Sequence, residues 1–363
     1  MEYVKLNTIC TFKQWKTIPA KDLKECGYPV WGANGVIGFS NSYNHELPTI
    51  MICCRGATCG AINISEGKCY INGNAMAMDN LSRDYDINYV AYFLRSYDFK
   101  QIITGAAQPQ ITQIGLQKVK IPKLSLDEQR NIVEKLLSID SAVANKKKQL
   151  EAFDNLIKSR FIEMFGTPGI NEKNYQLKKI NEFSQCIAGA TPSTAKDEYW
   201  ENGTIPWLSS GEVNKGRIFD TDKKITQLGY DNASTKLIPP HTVLIALAGQ
   251  GKTRGTVAVA EIELCTNQSI CSIVADKTVD PNYLYYYLQL QYDELRSISN
   301  GDGGRGGLNL KLVGNFKVFV PEIESQQKFS SLVKKIDKSK LIVQKQIDDL
   351  QELLGSKMDE YFG

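Results

Sequence analysis

The sequence contains no apolar run approaching the 18 residues that a membrane-spanning helix requires. Its opening, Met1 to Cys10, mixes polar and apolar side chains, whereas a secretory signal peptide places a continuous apolar segment after a basic start. These absences predict a cytoplasmic protein with no membrane contact. The chain has 363 residues, 42% hydrophobic and 23% charged, which is ordinary for a soluble globular protein and long enough for two domains.

Histidine is scarce, since the chain has 2 His residues, His45 and His241, beside 9 Cys. Neither histidine lies near a serine elbow, so a histidine-based catalytic triad is not predicted. Four of the cysteines lie close together in the sequence: Cys53, Cys54, Cys59 and Cys69. They form no pair of CxxC motifs and His45 lies off their spacing, so no metal site is predicted. In a cytoplasmic chain the cysteines are expected to be reduced thiols.

A strong excess of charge of one sign is also absent, because the formal net charge is +3. Residues 1–124 hold 13 basic and 9 acidic side chains, and residues 167–324 hold 16 and 18. Charge alone therefore does not predict nucleic-acid binding. Such a function has to be argued from the organisation of the chain and from local clusters.

Two short segments resemble enzyme sites without completing them. Ala248–Thr253, AGQGKT, resembles a phosphate loop, but Ala246 stands where that loop needs its first glycine. The RGTVAVA that follows predicts a strand, not the helix that binds phosphate. Ile238–His241, IPPH, resembles a loop of amino-methyltransferases, but Ile238 replaces the acidic or amide group that holds the target amine. No catalytic residue is predicted. A nucleotide hydrolase using Gly249–Thr253 stays open as an alternative, and it would turn over ATP.

What the sequence does have is a long internal repeat. The segment Ile121–Gly166 recurs as Val320–Gly363 at an offset of 197 residues, and both copies close on Phe-Gly. At this offset Gln129 aligns with Gln326. A repeat so widely spaced indicates a duplicated half-molecule and not a solenoid unit.

Each copy predicts one long helix, in which apolar residues recur at alternating steps of four and three. Such a 3.5-residue period is typical of a coiled-coil seam, and at 1.5 Å per residue each helix would be roughly 60 Å long. Two amphipathic helices packed on separate domains remain the alternative. The predicted seam residues are Ile132, Leu136, Ile139, Val143, Leu150, Phe153, Ile157, Phe329, Val333, Ile336, Val343, Ile347, Leu350 and Leu354.

The segments before the two helices run through the same sequence of predicted elements. LPTIMICCRGATCGAINI and HTVLIALAGQGKTRGTVAVA each read as strand, polar tip and strand, and NYVAYFL and VDPNYLYYYLQL each predict an aromatic helix. The predicted fold class is therefore mixed α/β (α+β), with a pseudo-twofold internal repeat. The predicted boundaries are 1–120 and 167–319 for two globular domains, and 121–166 and 320–363 for the helices.

Taken together, these features resemble the specificity subunit of type I restriction-modification systems, across essentially the whole chain. The resemblance is carried by GAAQPQIT…KVKIPKLSLDEQRNIVEKL, LIKSRFIEMFG, GATPSTAKDEYWENGTIPWLSSGEV, GQGKTRGTVAV and YPVWGANGVIGF. The second helix departs at its start, VPEIESQQK, where the acidic residue before the glutamine pair is displaced.

The resemblance implies two target-recognition domains and two helices that pack antiparallel as a spacer. Each domain would read one half of a split double-stranded DNA target in the major groove. The helices would dock two modification subunits, which use S-adenosylmethionine to methylate adenine. Added restriction subunits would make an ATP- and Mg²⁺-dependent nuclease. This chain would then be non-catalytic and would bind no cofactor itself.

Within that family the polar residues on loops are the candidate DNA contacts, because Arg suits guanine, Asn and Gln suit adenine, and Lys suits phosphate. In the first domain they are Asn34, Arg55, Thr58, Asn72, Asn74, Gln108 and Gln110. In the second they are Ser209, Ser210, Glu212, Lys215, Arg217, Gln250, Lys252, Thr253, Arg254 and Arg305.

Two further interpretations stay open. The same architecture could serve a related type II system, a fused restriction and methylation enzyme with a separate specificity chain. The chain could also be a coiled-coil scaffold that joins two domains with ligands other than DNA. Neighbouring genes would distinguish the first interpretation, and failure to bind any duplex would favour the second.

Overall fold

The computed structural model describes residues 2–56, 58–105, 109–249, 251–299 and 307–363. It mixes helices and strands, as predicted, and divides into two compact units. Unit 1 comprises residues 1–148 with 344–363, and unit 2 comprises residues 149–343. Across the described ranges, no helix combines the length and apolarity needed to cross a membrane.

Unit 1 is built from short strands, two short helices and parts of two long ones. Its strands are β1 (Tyr3–Lys5), β2 (Thr11–Lys13), β3 (Tyr28–Gly32), β4 (Gly35–Ser40), β5 (Ile50–Cys53), β6 (Ile62–Ile64), β7 (Tyr70–Ile71), β8 (Ala75–Asp79), β9 (Ile103–Thr104), β10 (Gln110–Ile111) and β11 (Lys120–Pro122). Its helices are α1 (Ile87–Ser96), α2 (Gln113–Leu116), the first part of α3 (Leu126–Phe165) and, from residue 344 on, the end of the second long helix.

Two sheets organise unit 1. The four-stranded sheet has the order β2-β8-β5-β6 and is antiparallel throughout. The three-stranded sheet has the order β4-β3-β7, in which β3 pairs antiparallel with β4 and parallel with β7. β1 and β11 form a separate antiparallel pair directly before α3. The predicted strand, polar tip and strand of unit 1 are therefore present as β5, the tip after it and β6.

Unit 2 has more elements because it holds the longer globular segment. Its strands are β12 (Leu177–Lys179), β13 (Ser184–Ala188), β14 (Ile205–Leu208), β15 (Arg217–Ile218), β16 (Lys223–Ile225), β17 (Thr242–Ala246), β18 (Val257–Ala260), β19 (Cys265–Thr266), β20 (Ile270–Ala275) and β21 (Lys317–Phe319). Its helices are the end of α3, α4 (Ile180–Phe183), α5 (Gln227–Asp231), α6 (Pro281–Leu290), α7 (Tyr292–Ser297), α8 (Leu310–Asn315) and the first part of α9 (Ile323–Phe362).

The sheets of unit 2 repeat those of unit 1 strand by strand. Its larger sheet has the order β13-β20-β17-β18, with β15 added parallel to β18. Its smaller sheet has the order β16-β14-β19, again with one antiparallel and one parallel pair. β12 and β21 pair as β1 and β11 do. The internal repeat predicted from the helices therefore extends through both globular parts.

The two long helices each have 40 residues. They begin at Leu126 and Ile323, whereas the predicted segments begin at residues 121 and 320. Ile121 and Pro122 belong to β11, which pairs with β1, and β21 ends just before the second predicted segment. Each helix contributes residues to both units.

Within each unit the end of one long helix lies beside the start of the other, which is the antiparallel arrangement. In unit 2 the ring of Phe329, in the second turn of α9, lies 5.3 Å from that of Phe161 and 5.7 Å from that of Phe165, at the end of α3. In unit 1 the ring of Phe362, at the end of α9, lies 5.4 Å from that of Tyr89. The same core contains Ile132 from the start of α3.

The predicted seam residues all lie out of solvent to some degree. Nine are buried: Ile132, Leu136, Val143, Ile157, Phe329, Val333, Ile336, Val343 and Ile347. Five are half-buried: Ile139, Leu150, Phe153, Leu350 and Leu354. Burial of this stripe along both helices is what a 3.5-residue apolar period produces when another surface covers it.

A buried glutamine near the start of each long helix makes the same three hydrogen bonds in both units. The Oε1 atom of Gln129 accepts from the backbone of Asp86 at 2.9 Å, and its Nε2 atom donates to the carbonyls of Asp84 and Leu124. Gln326 bonds in the same way to Asp280, Thr278 and Pro321. Both side chains are 0% exposed, so the helices are attached to α1 and α6 by equivalent polar contacts.

Candidate nucleic-acid interface

The β5–β6 hairpin tip of unit 1 brings together three predicted contact residues. Arg55 and Thr58 are exposed, and Arg55 forms an isolated β-bridge with Gln110. Cys53 stabilises the tip, because its Sγ atom donates to the carbonyl of Arg55 at 3.3 Å and lies 3.2 Å from the Thr58 hydroxyl. Cys59 supports it as well, donating from its thiol to the carbonyl of residue 54.

Asn34 and Asn74 have exposed side chains and lie near that tip. Asn34 occupies the turn of the β3–β4 hairpin. The residue before it, Ala33, accepts a hydrogen bond at 3.0 Å from Asn63 on β6, which leads away from the tip. The carbonyl of Asn74 accepts from the Cys54 amide at 3.5 Å, which puts Asn74 next to the β5–β6 tip. The Asn34 and Asn74 side chains are therefore both exposed at this edge of the sheets.

Asn72 has a different environment from its neighbour Asn74. It is 2% exposed, and its Oδ1 atom accepts from the amides of Ile18 at 2.9 Å and Gly73 at 3.0 Å. Its Nδ2 atom donates to the carbonyl of Ile18. Because these groups are used within the protein, Asn72 fits a structural role, and we do not retain it as a contact.

The β17–β18 hairpin tip of unit 2 corresponds to the β5–β6 tip and carries Lys252, Thr253 and Arg254. Lys252 is exposed, and Thr253 and Arg254 are half-buried. The loop turns back at Gly251, whose φ of +61° lies in the left-handed region that favours glycine. The strand predicted after the tip is present as β18, so the segment that resembles a phosphate loop is a hairpin turn.

The predicted cluster from Ser209 to Lys215 is a short 3₁₀ helix closed by a capping box. Glu212 is 5% exposed and accepts from Ser209 N at 3.1 Å, from Lys215 Nζ at 2.9 Å and from Asp222 N at 2.9 Å. Hydrogen bonds to Asp222 and then to Glu212 raise the pKa of Lys215. The Glu212 carboxylate therefore has a structural role within this segment, whereas Ser210 is half-buried at the surface and could contact a ligand.

Arg217 lies away from the tip, at the other end of the sheet. It pairs with Val259 near the end of β18 and binds the Glu261 carboxylate. Its Nη2 atom lies 3.1 Å from Asp337 Oδ2 on α9 and donates to Asn282 Oδ1 at 2.6 Å. Burial raises the pKa of Asp337, and the charge of Arg217 opposes that shift. Arg217 thus joins the sheet to the long helix, and we do not retain it as a DNA contact.

Three predicted contact residues, Gln108, Gln250 and Arg305, lie outside the described residues. Of the others, the structure gathers Arg55, Thr58, Asn74 and Gln110 at one tip, and Lys252 to Arg254 at the other.

Sequence reasoning missed several residues that lie beside the unit 2 tip. Tyr292 and Arg296 on α7 hold its backbone. The exposed Thr191 and Gln268 bond to each other at 2.7 Å, and the neighbouring residue Ser269 accepts from the Leu247 amide just before the tip. The sequence has no motif in α7. The one signal that could have pointed to this helix is its position directly after the aromatic helix α6.

No group of three His, Cys, Asp or Glu side chains is placed to hold a metal ion in the part of the chain that the structure describes.

Comparisons with known proteins agree with this duplicated architecture. A family model described as the type I restriction modification DNA specificity domain matches residues 1–152 and again residues 172–352. The specificity subunit of type I restriction enzyme EcoR124I/EcoR124II from Escherichia coli is 24% identical over 265 residues, which is 69% of this chain and 63% of that subunit. The chain thus matches less than two thirds of the length of this curated relative.

Solved structures share the fold. The S subunit of a type I restriction-modification system from M. genitalium superposes with a TM-score of 0.62 at 16% identity, over 100% of this chain and 96% of that one. A chain from work on complex assembly and conformational transition of the type I R-M system gives 0.59 at 16% identity, over 99% and 97%. Because the family model covers both units, the chain belongs to the type I restriction modification DNA specificity family.

Proposed function

We propose that the chain is the DNA-recognition subunit of a type I restriction-modification complex and is itself non-catalytic. The observation that carries the proposal is one fold present twice with unlike side chains at corresponding tips. Unit 1 presents Arg55 and Thr58, and unit 2 presents Lys252 and Thr253. Two recognition domains with the same fold and different side chains at their tips suit a split DNA target whose two halves differ in sequence.

In this proposal each hairpin tip enters the major groove of one half-site, where Arg, Asn and Gln side chains distinguish bases and Lys binds phosphate. The proposed contacts are exposed or half-buried side chains at the two tips, on the turns near the unit 1 tip, or on the 3₁₀ segment from Ser209 to Lys215. They are Asn34, Arg55, Thr58, Asn74, Gln110, Ser209, Ser210, Lys215, Lys252, Thr253 and Arg254. Gln108, Gln250 and Arg305 stay predictions from the sequence.

We also infer that the long helices set the length of the unread spacer and dock two modification subunits. The support is the family, the 40-residue length of each helix and the rule that protein geometry fixes half-site separation in two-headed DNA binders. S-adenosylmethionine would then be bound by the modification subunits, and ATP with Mg²⁺ by the restriction subunits.

The experiment is to co-express the chain with the methyltransferase gene that neighbours its own and to map methylated adenines across the host genome by single-molecule sequencing. The expected result is a motif with two unlike halves and a constant gap that appears only when this chain is present. A matched strain with the methyltransferase alone is the control.

Absence of new methylation despite a soluble complex would contradict the proposal. A scaffold with other ligands would then be favoured, and the next assay would be duplex binding by the isolated chain. ATP turnover by the isolated chain would instead point to the hairpin turn at Gly251 as a nucleotide site.

A further inference from the structure

The tip loop of unit 2, defined as Gly251–Arg254, is held from one side by two side chains of α7. The Nη1 atom of Arg296 donates to the carbonyl of Gly251 at 2.9 Å and to that of Arg254 at 3.1 Å. The hydroxyl of Tyr292 donates to the carbonyl of Lys252 at 2.7 Å. Three carbonyls from four consecutive residues are therefore bound by one guanidinium and one phenol.

The two side chains also fix each other. Arg296 Nη1 lies 3.0 Å from the Tyr292 hydroxyl, and the guanidinium lies 5.4 Å from the centre of the Tyr292 ring. Because they are four residues apart on the same helix, they face the loop together. We call this pair the tip clamp.

The tip loop needs such support because its glycines allow the backbone to adopt many conformations. Gly249, Gly251 and Gly255 all have positive φ, at +144°, +61° and +84°, and glycine leaves many alternative loop conformations accessible. At Gly255 a Cβ atom would lie 3.2 Å from Arg296 Cγ, so the loop also packs closely on the clamp. Carbonyls that bind α7 turn their peptide groups toward the protein.

The corresponding tip in unit 1 is supported by other chemistry. There the thiols of Cys53 and Cys59 donate to loop carbonyls at 3.3 and 3.4 Å, and the Ile111 amide donates to the carbonyl of Cys54 at 3.0 Å. The two tips thus have independent supports. A change to the tip clamp should act on one unit alone.

We propose that Arg296 and Tyr292 are positioning residues that set the base specificity of the unit 2 tip without touching DNA. The proposal rests on the proposed function. A single preferred loop conformation places the side chains of Lys252, Thr253 and Arg254 in one pattern, whereas a released loop presents several patterns and accepts more sequences.

The test uses the full chain co-expressed with its methyltransferase, carrying Tyr292→Phe or Arg296→Met. Tyr292→Phe removes one hydroxyl and no charge. We expect methylation at sites with one mismatch in one half of the target to rise at least tenfold relative to wild type, with the other half unchanged. Arg296→Lys, which keeps a donor, should give a smaller rise than Arg296→Met.

Arg95→Met is the matched control. Arg95 also lies over a tyrosine, with its guanidinium 5.3 Å from the centre of the Tyr92 ring, but it is in unit 1. The same chemical change there should leave both halves of the motif as they are. Thermal unfolding of each variant shows whether the fold is intact, and Tyr292→Phe serves if Arg296→Met does not fold.

Three outcomes overturn the inference. Unchanged discrimination in both clamp variants shows that the clamp has no positioning role, and relaxation in both halves shows a general effect on folding. If Arg296→Met lowers the salt slope of binding by about 0.9 while Tyr292→Phe does nothing, Arg296 binds phosphate directly. Failure of the proposed function looks different, because the wild-type chain would then yield no bipartite motif.

Discussion

At the scale of single residues, the same residue type takes different roles according to its surroundings. Arg55 is exposed at a hairpin tip, whereas Arg217 is held by two carboxylates and Asn282. Asn74 is exposed, whereas Asn72 is 2% exposed and fully bonded. A polar side chain whose hydrogen bonds are satisfied inside the protein has little left to offer a ligand.

Replacing Arg217 with methionine should destabilise unit 2 and leave DNA specificity intact. The change removes the guanidinium that Glu261 and Asp337 share, and these side chains are 14% and 26% exposed. The free energy of unfolding should therefore fall by about 2 kcal/mol. Urea unfolding measures the loss. Adding Glu261→Gln and Asp337→Asn should restore at least half of it.

The matched control is Lys224→Met, since the ion pair of Lys224 with Asp220 is exposed and its loss should change stability by less than about 0.5 kcal/mol. A folded Arg217→Met chain that has lost specific DNA binding at unchanged stability would restore Arg217 to the list of contacts.

Thiol reactivity should divide the cysteines sharply. Burial is the main cause that raises the pKa of Cys10 to about 12 and the pKa values of Cys54 and Cys265 to about 11. Cys26, in contrast, is exposed. At pH 8 a thiol with a pKa of 11 is about 0.1% thiolate, the reactive form. Iodoacetamide on the native protein should therefore alkylate Cys26 before Cys10, Cys54 and Cys265, as peptide mass spectrometry would show.

In Cys26→Ser the label on that peptide should disappear, and unfolding in urea should make Cys10, Cys54 and Cys265 reactive. Alkylation of native Cys10 at the rate of Cys26 would contradict the burial that the structure assigns to it.

At the scale of elements, each long helix is attached to its unit by a glutamine. Gln129 and Gln326 bond to the residues that cap α1 and α6, Asp86 and Asp280. A fully buried amide with both its oxygen and nitrogen bonded is costly to remove, because backbone groups are left without partners.

Replacing either glutamine with alanine should lower the free energy of unfolding by about 3 kcal/mol. Denaturant unfolding gives the size of the loss, and hydrogen exchange locates it, in unit 1 for Gln129→Ala and in unit 2 for Gln326→Ala. Gln344→Ala is the control, because Gln344 is exposed on α9 and bonds only to Asp348 among the hydrogen bonds resolved for its side chain. Equal losses in all three variants would contradict the proposed attachment.

The start of α3 should respond to acid. Hydrogen bonds from the Ser125 hydroxyl, at 2.6 Å, and from its amide, at 2.8 Å, lower the pKa of Glu128. The stabilisation is thus present above the ordinary glutamate pKa of 4.5 and is lost as the pH falls through the lowered value. Protection of the first-turn amides from hydrogen exchange should fall over that range.

Glu128→Gln keeps an acceptor for the Ser125 amide but does not titrate there, so its protection should stay flat. A parallel fall of protection in both proteins would assign the acid effect to another carboxyl group.

At the scale of the whole molecule, duplication is the main fact. The two larger sheets share the order of four strands, and both smaller sheets combine one antiparallel and one parallel pair. The units nevertheless differ where the proposed function needs difference, at the tips and in the contacts that support them.

Deleting one heptad from each long helix should shorten the proposed spacer. Residues 144–150 and 341–347 are equivalent at the offset of 197, and removing seven residues keeps the apolar register while shortening each helix by about 10 Å. Methylation mapping should then show the same two half-sites with a gap about three base pairs shorter, at 3.4 Å per base pair. An unchanged gap would refute the spacer role.

A four-residue deletion at the same two places is the contrasting variant. It breaks the 3.5-residue period, so the seam no longer faces one side. Unfolding of this variant together with a folded heptad variant would show that the register matters as well as the length.

Much of this fold could be predicted, because its signals are periodic and repeated. The helices, the strands on either side of each tip and the duplication follow from apolar spacing and from the offset between copies. The exact start of α3 was less predictable, because the predicted helical segment begins at Ile121, whereas Ile121 belongs to β11, which pairs with β1 at the start of the chain, and α3 begins at Leu126.

The candidate site was less predictable than the fold. Sequence placed Arg55 and Lys252 on tips correctly because glycine and polar residues interrupt two apolar runs there. It could not separate Asn72 from Asn74, or find Arg296, whose loop partners lie 45 and 42 residues away in sequence. Hydrogen bonds over such distances depend on packing, which local patterns do not encode.

The sequence by itself determined the duplicated design and the apolar stripe of each helix, because repetition and periodicity are local properties of the chain. Tertiary structure alone decided which polar residues are available to a ligand. Arg217, Glu212 and Asn72 lost that role to partners brought in from distant segments, and Tyr292 and Arg296 gained a role beside the tip. Availability depends on burial and on satisfied hydrogen bonds, and both exist only once the chain has folded.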